Sequence, residues 1–90
     1  MDAFPFHPIE LVAVHPARNV RRRWHLVAAR DLFGHVVVET GWGRIGTPGR
    51  RLVRSFASET AALAHVRALL ARRATARRRL GVDYRPARAT

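Results

Sequence analysis

The stretch GWGRIGTPGR at residues 41–50 combines an aromatic side chain, two cations and four glycines, with no acid. Trp42 stands between two glycines, and Arg44 follows it two positions later. An indole can stack on a nucleobase or a sugar, and a guanidinium can bind a phosphate. A glycine in a strand often marks a place where another molecule approaches the backbone closely. These residue types predict a surface that binds a nucleic acid.

Trp42 has two interpretations at this point. Alternation along a strand places it on the same side as Val36, Val38, Thr40 and Arg44, so its ring can pack in the core beside Val38. Alternatively, the ring is exposed near the end of the strand and stacks on a sugar or base, with Arg44 on the adjacent phosphate. Alternation and burial statistics leave both arrangements open.

Two further groups of arginines are candidates for phosphate binding. Arg50 and Arg51 follow the next turn, and the hairpin is expected to return them beside Arg44 and the indole. Arg21 and Arg23 are expected to share one face of an earlier strand, where they reach a phosphate at the rim of the sheet. Each group is equally consistent with ordinary solvated residues.

The charge of the whole chain supports a polyanionic partner. Its 90 residues include 17 basic residues, all arginine, and six acids, for a net charge of +11. Such an excess is typical of proteins that bind nucleic acid. We therefore expect DNA as the partner, with RNA as an alternative polyanion and an acidic protein as the second class of partner.

Composition and spacing argue against several other functions. The chain has no cysteine, and its five histidines lack the spacing of metal ligands, so neither a metal nor a cofactor is expected. No nucleophile elbow, phosphate loop or carboxylate pair is present, which predicts that the chain is not an enzyme. The first residues do not resemble a leader, and no apolar run has the length of a membrane span. We expect a cytoplasmic protein, including association with the nucleoid, and no membrane partner.

Hydrophobic periodicity predicts the elements that must position these residues. Apolar alternation bounded by turn residues indicates antiparallel strands at about 9–14, 21–29, 35–46 and 51–56. Ser58 is expected to cap one amphipathic helix over about 58–79, which ends at Gly81. The helix would cover one face of the sheet, so the fold class is α+β, with four strands or five.

Three smaller expectations complete the organisation of the chain. Residues 1–8 are expected to form an extended arm, 9–84 a single domain and 85–90 a basic tail. Trp24 alternates with Leu26 and is expected in the core. The run TPGR at 47–50 predicts a type II turn, because its glycine supplies the positive φ that such a turn requires.

A larger pattern surrounds the tryptophan. The run DLFGHVVVETGWGRIGTPGR, followed by SFASETAALAHV and a basic helix end, resembles the WGR domain, a family named for its Trp-Gly-Arg triplet. The resemblance covers about residues 19–84. This family occurs in DNA-dependent poly(ADP-ribose) polymerases and in small bacterial proteins, and the present chain resembles the bacterial type.

The resemblance implies an antiparallel sheet crossed by one helix, and a module that binds DNA with a preference for ends or nicks. In the polymerases the tryptophan of the triplet contacts the terminal nucleotide, and the arginine contributes to contacts with DNA or with neighbouring domains. The matching positions are Trp42 and Arg44, with Gly43 allowing the backbone a close approach. No polymerase catalytic domain matches these residues, so no activity is implied. The family often has a Gly-Tyr pair after the helix, whereas Gly81 and Tyr84 are separated here.

Overall fold

The computed structural model describes residues 8–87, so all but the last residue of the expected arm lies outside the described residues. The chain forms one five-stranded antiparallel sheet with helices on one face, which confirms the α+β class. The strands are β1 (Ile9–His15), β2 (Val20–Arg30), β3 (Val36–Arg44), β4 (Arg50–Phe56) and β5 (Arg85–Pro86). Their order in the sheet is β4-β3-β2-β1-β5.

The core lies between the sheet and the main helix, α1 (Glu59–Ala74). Alternate residues of the two central strands turn towards α1, and every second position from Trp24 to Ala28 and from Val36 to Thr40 is buried. Trp24 is only 1% exposed, which confirms its expected place in the core. The apolar residues at every second position of these strands thus form one face of the sheet.

The helical region is divided where the sequence suggested one continuous helix. Ser58 caps α1 as expected, because its Oγ accepts a hydrogen bond from the Ala61 N–H at 3.2 Å. The helix stops before Thr75, and a second short helix, α2 (Ala76–Leu80), follows. The Thr75 hydroxyl donates to the carbonyl of Arg72 at 3.0 Å, and such a local side-chain bond competes with the helical ladder. Gly81 ends α2 with φ 76°, the left-handed cap that the sequence predicts.

The loop between β3 and β4 turns earlier than expected. Its hydrogen-bonded turn joins Arg44 to Thr47, with a 3.1 Å bond from the Thr47 N–H to the Arg44 carbonyl. Gly46 at φ 88° occupies the third position of this turn. The Thr47 hydroxyl also donates to the Arg44 carbonyl at 2.7 Å, which favours closure here. The glycine of the TPGR run, Gly49, has the expected positive φ of 68°.

Part of the expected tail is a strand. Arg85 pairs with Val12 and Pro86 with Leu11 at the free edge of β1, and this pairing supplies the fifth strand. The Ala87 N–H extends the contact by donating to the Glu10 carbonyl at 2.9 Å. Residues 88–90 lie outside the described part of the chain.

The surroundings of one histidine predict that the stability of this fold depends on pH. His65 of α1 packs against Phe56, with ring centroids 5.1 Å apart. Burial, followed by the charge of Arg54, lowers the pKa of His65 below its ordinary value of 6.5. The unfolded chain therefore binds a proton more readily than the folded chain, and stability is lost as the pH falls through 6.5 towards the folded pKa. We expect a lower urea midpoint at about pH 5 than at about pH 7.5, and a smaller difference in His65→Gln. An equal difference in the two proteins would contradict this role.

Candidate nucleic-acid interface

The strand register sets three expected site residues, Trp42, Arg44 and Arg50, at one end of the sheet. Trp42 pairs with Trp24 on one side and with Arg50 on the other. Arg44 pairs with Arg22 two positions further along the same strands. Because directly paired residues point to the same face of a sheet, Arg22, Trp42 and Arg50 share the face that carries α1. The strands therefore place an indole among three guanidinium groups.

Trp42 is partly buried. Its ring packs against the core cluster that contains Trp24, and it also lines an open groove beside the end of the helices. The indole therefore lies between the two arrangements that the sequence leaves open, with one part in the core and another accessible to a ligand.

Two adjoining grooves are lined by cations. The first, which we call the tryptophan groove, has a volume of about 180 Å³ and is lined by Arg22, Trp42, Arg72, Arg73, Arg79 and Tyr84, among others. The second, the arginine groove, has a volume of about 540 Å³, and its cations are Arg18, Arg21, Arg22, Arg44 and Arg79. Both grooves include Gly43 and Leu80. Among the described residues that line either groove, none is acidic, so the surface suits an anion.

Carbonyl and hydroxyl oxygens hold two of these guanidinium groups without neutralising them. Arg44 donates to the Asn19 carbonyl at 3.2 Å and to the Asn19 Oδ1 at 2.9 Å. Arg79 donates to the Thr75 Oγ1 and to the Arg72 carbonyl, each at 3.1 Å. These acceptors carry no net charge, so both arginines keep their positive charge and also have further N–H donors for a ligand.

Gly43 lies where β3 meets the following loop. A Cβ atom at this position would lie 2.7 Å from the Gly49 Cα. Real Cβ atoms essentially never come this close to a backbone atom. The sequence suggested that Gly43 admits a ligand to the backbone. In the structure its close neighbour is the chain's own loop, and this contact keeps the Trp42–Arg44 segment against β4.

Arg73 connects the core to the tryptophan groove. Its guanidinium carbon lies 4.9 Å from the centroid of the Trp24 ring and 5.9 Å from that of Tyr84, within the range of cation–π attraction. Burial is the main cause that lowers the pKa of Arg73 below its ordinary value. Arg73 therefore stacks between two aromatic rings and forms a wall of the groove.

One expected site residue, Arg51, lies elsewhere, and the guanidinium of a second, Arg23, binds the chain's own loop. Arg51 was expected beside the indole, but it pairs with Gly41 and lies 3.8 Å from Glu39, on the face opposite Trp42. The cause is alternation, because only one of two consecutive strand residues can share a face with Trp42. Arg23 lines the tryptophan groove, but its guanidinium donates to the carbonyls of Thr47 and Pro48 at 2.5 and 2.7 Å. Arg23 therefore holds the loop after β3.

Several other residues that line the grooves were not among the expected site residues. Arg22 stands two positions before the buried Trp24, so alternation alone would have placed it on the same face. Arg72 and Arg79 belong to the basic helix end, to which the sequence assigns no site role. Nothing in the sequence indicated that the break at Thr75 and the return of the chain at Tyr84 would bring the helix end to the groove.

Residues 8–87 also bear on two other features, a membrane span and a metal site. None of the helices among these residues combines the length and the apolar character of a membrane span. The same residues hold no cluster of three or more histidine, aspartate or glutamate side chains suited to a metal ion.

Comparison with known proteins gives the family. The chain is similar to Uncharacterized protein y4dW of Sinorhizobium fredii (strain NBRC 101917 / NGR234), with 39% identity over 44 residues, which is 49% of this chain and 22% of that protein. The chain thus spans only a part of this curated relative. No solved structure matches it significantly. The WGR domain is a nucleic-acid-binding type of module, and its family profile matches residues 8–81 of this chain. Because the match covers most of the chain, the chain belongs to the WGR domain family.

Proposed function

We propose that this chain binds DNA, with a preference for ends and nicks, and that it performs no catalysis. The observation that supports the proposal best is the pair of cationic grooves, which meet at Gly43 beside the accessible part of Trp42. Single-strand binding surfaces combine the same two components, a positively charged groove and an aromatic ring on which a base stacks.

The preference for ends rests on what Trp42 can reach. In an intact duplex each base is stacked on both sides, so an indole finds no free face. A nick or an end exposes a terminal sugar and base, and the indole can stack on either. Arg22, Arg44 and Arg50 then contact the phosphates on both sides of that nucleotide. Arg21 adds a contact in the arginine groove, and Arg51 contributes attraction at longer range. Arg23 lines the tryptophan groove and supports the loop beside it.

Salt dependence tests the arginine contribution. If four to six phosphates are contacted, the slope of log affinity against log salt should be about −3.5 to −5.5. Arg22→Gln should reduce the steepness of that slope by about 0.9, because it removes one phosphate contact. Arg67→Gln is the matched control, since Arg67 is exposed on α1 and does not line either groove. Equal changes in the two variants would show that the grooves are not the binding surface.

The choice of nucleic acid needs its own comparison. Nicked, blunt-ended and sealed dumbbell duplexes, together with a single-stranded RNA, should be measured over one salt series. We expect the nicked and blunt-ended duplexes to bind most tightly. Equal affinity for the nicked and the sealed duplex would contradict a preference for ends.

A second candidate is a protein-interaction module that binds an acidic partner. The observation in its favour is the composition of the tryptophan groove, because Trp, Tyr and Arg are the residues that most often dominate protein interfaces. A complex that survives nuclease treatment and is lost in Arg22→Gln would support this candidate over the first.

A further inference from the structure

The arginine groove is a recess lined by four segments of the chain. Its walls come from the turn after β1, the start of β2, the end of β3 and the short helix α2. Its volume of about 540 Å³ is three times that of the tryptophan groove, about 180 Å³. The guanidinium groups that line it therefore approach one space from several directions. A double helix presents its phosphates on a broad convex surface, which such a recess does not match.

Three of the five arginines in this groove are free to bind a ligand. Arg44 and Arg79 donate to neutral oxygens of the chain. Within residues 8–87, Arg18, Arg21 and Arg22 form neither a side-chain hydrogen bond nor an ion pair, and all three are exposed. A guanidinium binds a phosphate with two N–H groups at once, and a phosphodiester has two unbridged oxygens. The free donors of the groove therefore exceed what a single phosphodiester accepts.

Two apolar side chains lie among these arginines. Val20 and Leu80 line the groove, and both are half-buried. A nucleotide combines a charged phosphate with the flat face of a base, so a groove with arginines and apolar side chains suits whole nucleotides better than an inorganic anion. Its volume is that of a pocket for a drug-sized ligand, which corresponds to about two nucleotides.

The arginine groove lies on one side of Trp42, and a further cation lies on the other. Arg22 and Gly43 line both grooves, and Trp42 lines the tryptophan groove beside them. Strands β2 and β4 flank β3 on opposite sides, and Arg50 of β4 pairs with Trp42 but lines neither groove. The indole therefore stands between Arg50 and the arginine groove.

We propose that the arginine groove binds a short single-stranded extension of the DNA, so that the chain prefers an end with an overhang to a blunt end. The inference rests on the proposed function. If the indole stacks on the terminal base, the duplex stops at Trp42 on the side of Arg50. A strand that continues past the indole into the arginine groove is then unpaired. Its phosphates bind the three free arginines, and its bases contact the apolar side chains.

Affinity for a series of ends tests the inference. Duplexes of one sequence, either blunt or with two unpaired nucleotides at the 5′ or the 3′ end, should be compared by fluorescence anisotropy at one salt concentration. We expect an overhang of at least one polarity to bind about 10-fold more tightly than the blunt end, the gain that corresponds to about one charge-assisted hydrogen bond. Equal affinity for the blunt end and for both overhangs would overturn the inference.

Variants on the two sides of the indole locate the effect. Arg18→Gln and Arg21→Gln should each bring the ratio of overhang to blunt affinity closer to one. Both are needed, because Arg18 also packs against the Gly81 cap of α2. Arg50→Gln should weaken the binding of both duplexes and keep the ratio, and Arg67→Gln, on the exposed side of α1, should change neither affinity. A ratio that is the same in all four variants would place the overhang outside the arginine groove.

The salt dependence reports how many phosphates of the overhang are bound. Each single-strand phosphate contact adds about 0.7 to the steepness of log affinity against log salt, so a two-nucleotide overhang should add about 1.4. Arg21→Gln should remove about 0.7 of this increment. A tighter overhang complex with an unchanged slope would contradict phosphate binding by the free arginines.

Three reference ligands separate this inference from the proposed function. Equal affinity for blunt and sealed duplexes would refute the proposed function. A preference for blunt over sealed duplexes with no gain from an overhang would retain the proposed function and refute this inference alone. An isolated single strand that binds as tightly as the overhang duplex would support the arginine groove as a single-strand site and refute the preference for ends.

Discussion

Trp42→Ala should weaken binding to nicked and blunt-ended duplexes by about 5- to 150-fold, the range that corresponds to the loss of one base–aromatic stack. Binding to a sealed dumbbell duplex should change by no more than about twofold, because the arginine contacts that hold an intact duplex remain. The variant thus separates stacking from charge. Fluorescence anisotropy with labelled duplexes, at one fixed salt concentration, measures both affinities.

The partial burial of Trp42 calls for a second variant. Because the indole also packs against the core cluster, Trp42→Ala removes packing as well as stacking. Trp42→Phe keeps an aromatic face and most of the packing, so it should recover much of the affinity for ends. Thermal melts establish that each variant is folded at the assay temperature. If Trp42→Ala lost the same affinity for all duplexes, the ring would support the shape of the groove and would not stack on the end of a duplex.

The fold was largely predictable because its strands are short amphipathic segments with clear boundaries. β3 is rich in β-branched residues, Ser58 offers a side-chain cap, and Gly81 supplies a left-handed end. Each of these signals is local, so it can be read from a few neighbouring residues. The fifth strand has only two residues, which is too short for any periodicity, and it forms because β1 offers a free edge.

The candidate site was less predictable because register decides which arginines meet. Arg50 and Arg51 are neighbours in sequence, yet only Arg50 is paired with Trp42. The register depends on the length of the loop between β3 and β4, and the hydrogen-bonded turn from Arg44 to Thr47 fixes that length. Glycines within and beyond β3 made several turn positions plausible from the sequence alone.

The helix end reaches the grooves through contacts between distant parts of the chain. A Cβ on Gly81 would collide with the Arg18 guanidinium, so the left-handed cap of α2 lies directly against the turn after β1. This contact places Arg79 beside Arg22 and Arg44 in the arginine groove. No local pattern indicates a contact between residues this far apart, and for that reason the sequence assigns the helical arginines no role in the site.

Trp24→Ala should cost about 3–5 kcal/mol of unfolding free energy, the range for removing a large aromatic side chain from a core. A chain of this length is stabilised by only about 5–13 kcal/mol in total, so the loss is a large fraction. The expected cost is at the upper end because Trp24 is only 1% exposed and packs with Leu26, Val38 and Val66 in the same cluster. Urea denaturation followed by far-UV circular dichroism measures the change without relying on tryptophan fluorescence.

The same substitution should also alter the shape of the binding surface. Without the Trp24 ring, the Arg73 guanidinium loses the nearer of its two aromatic partners, at 4.9 Å, and one wall of the tryptophan groove loses its support. Trp24→Phe keeps an aromatic ring beneath Arg73, so it should lose less stability and retain more DNA affinity than Trp24→Ala. Under conditions in which both variants are fully folded, equal DNA affinity would show that Arg73 does not need this ring to shape the groove. A stability loss below about 1 kcal/mol in Trp24→Ala would show that neighbouring side chains refill the cavity.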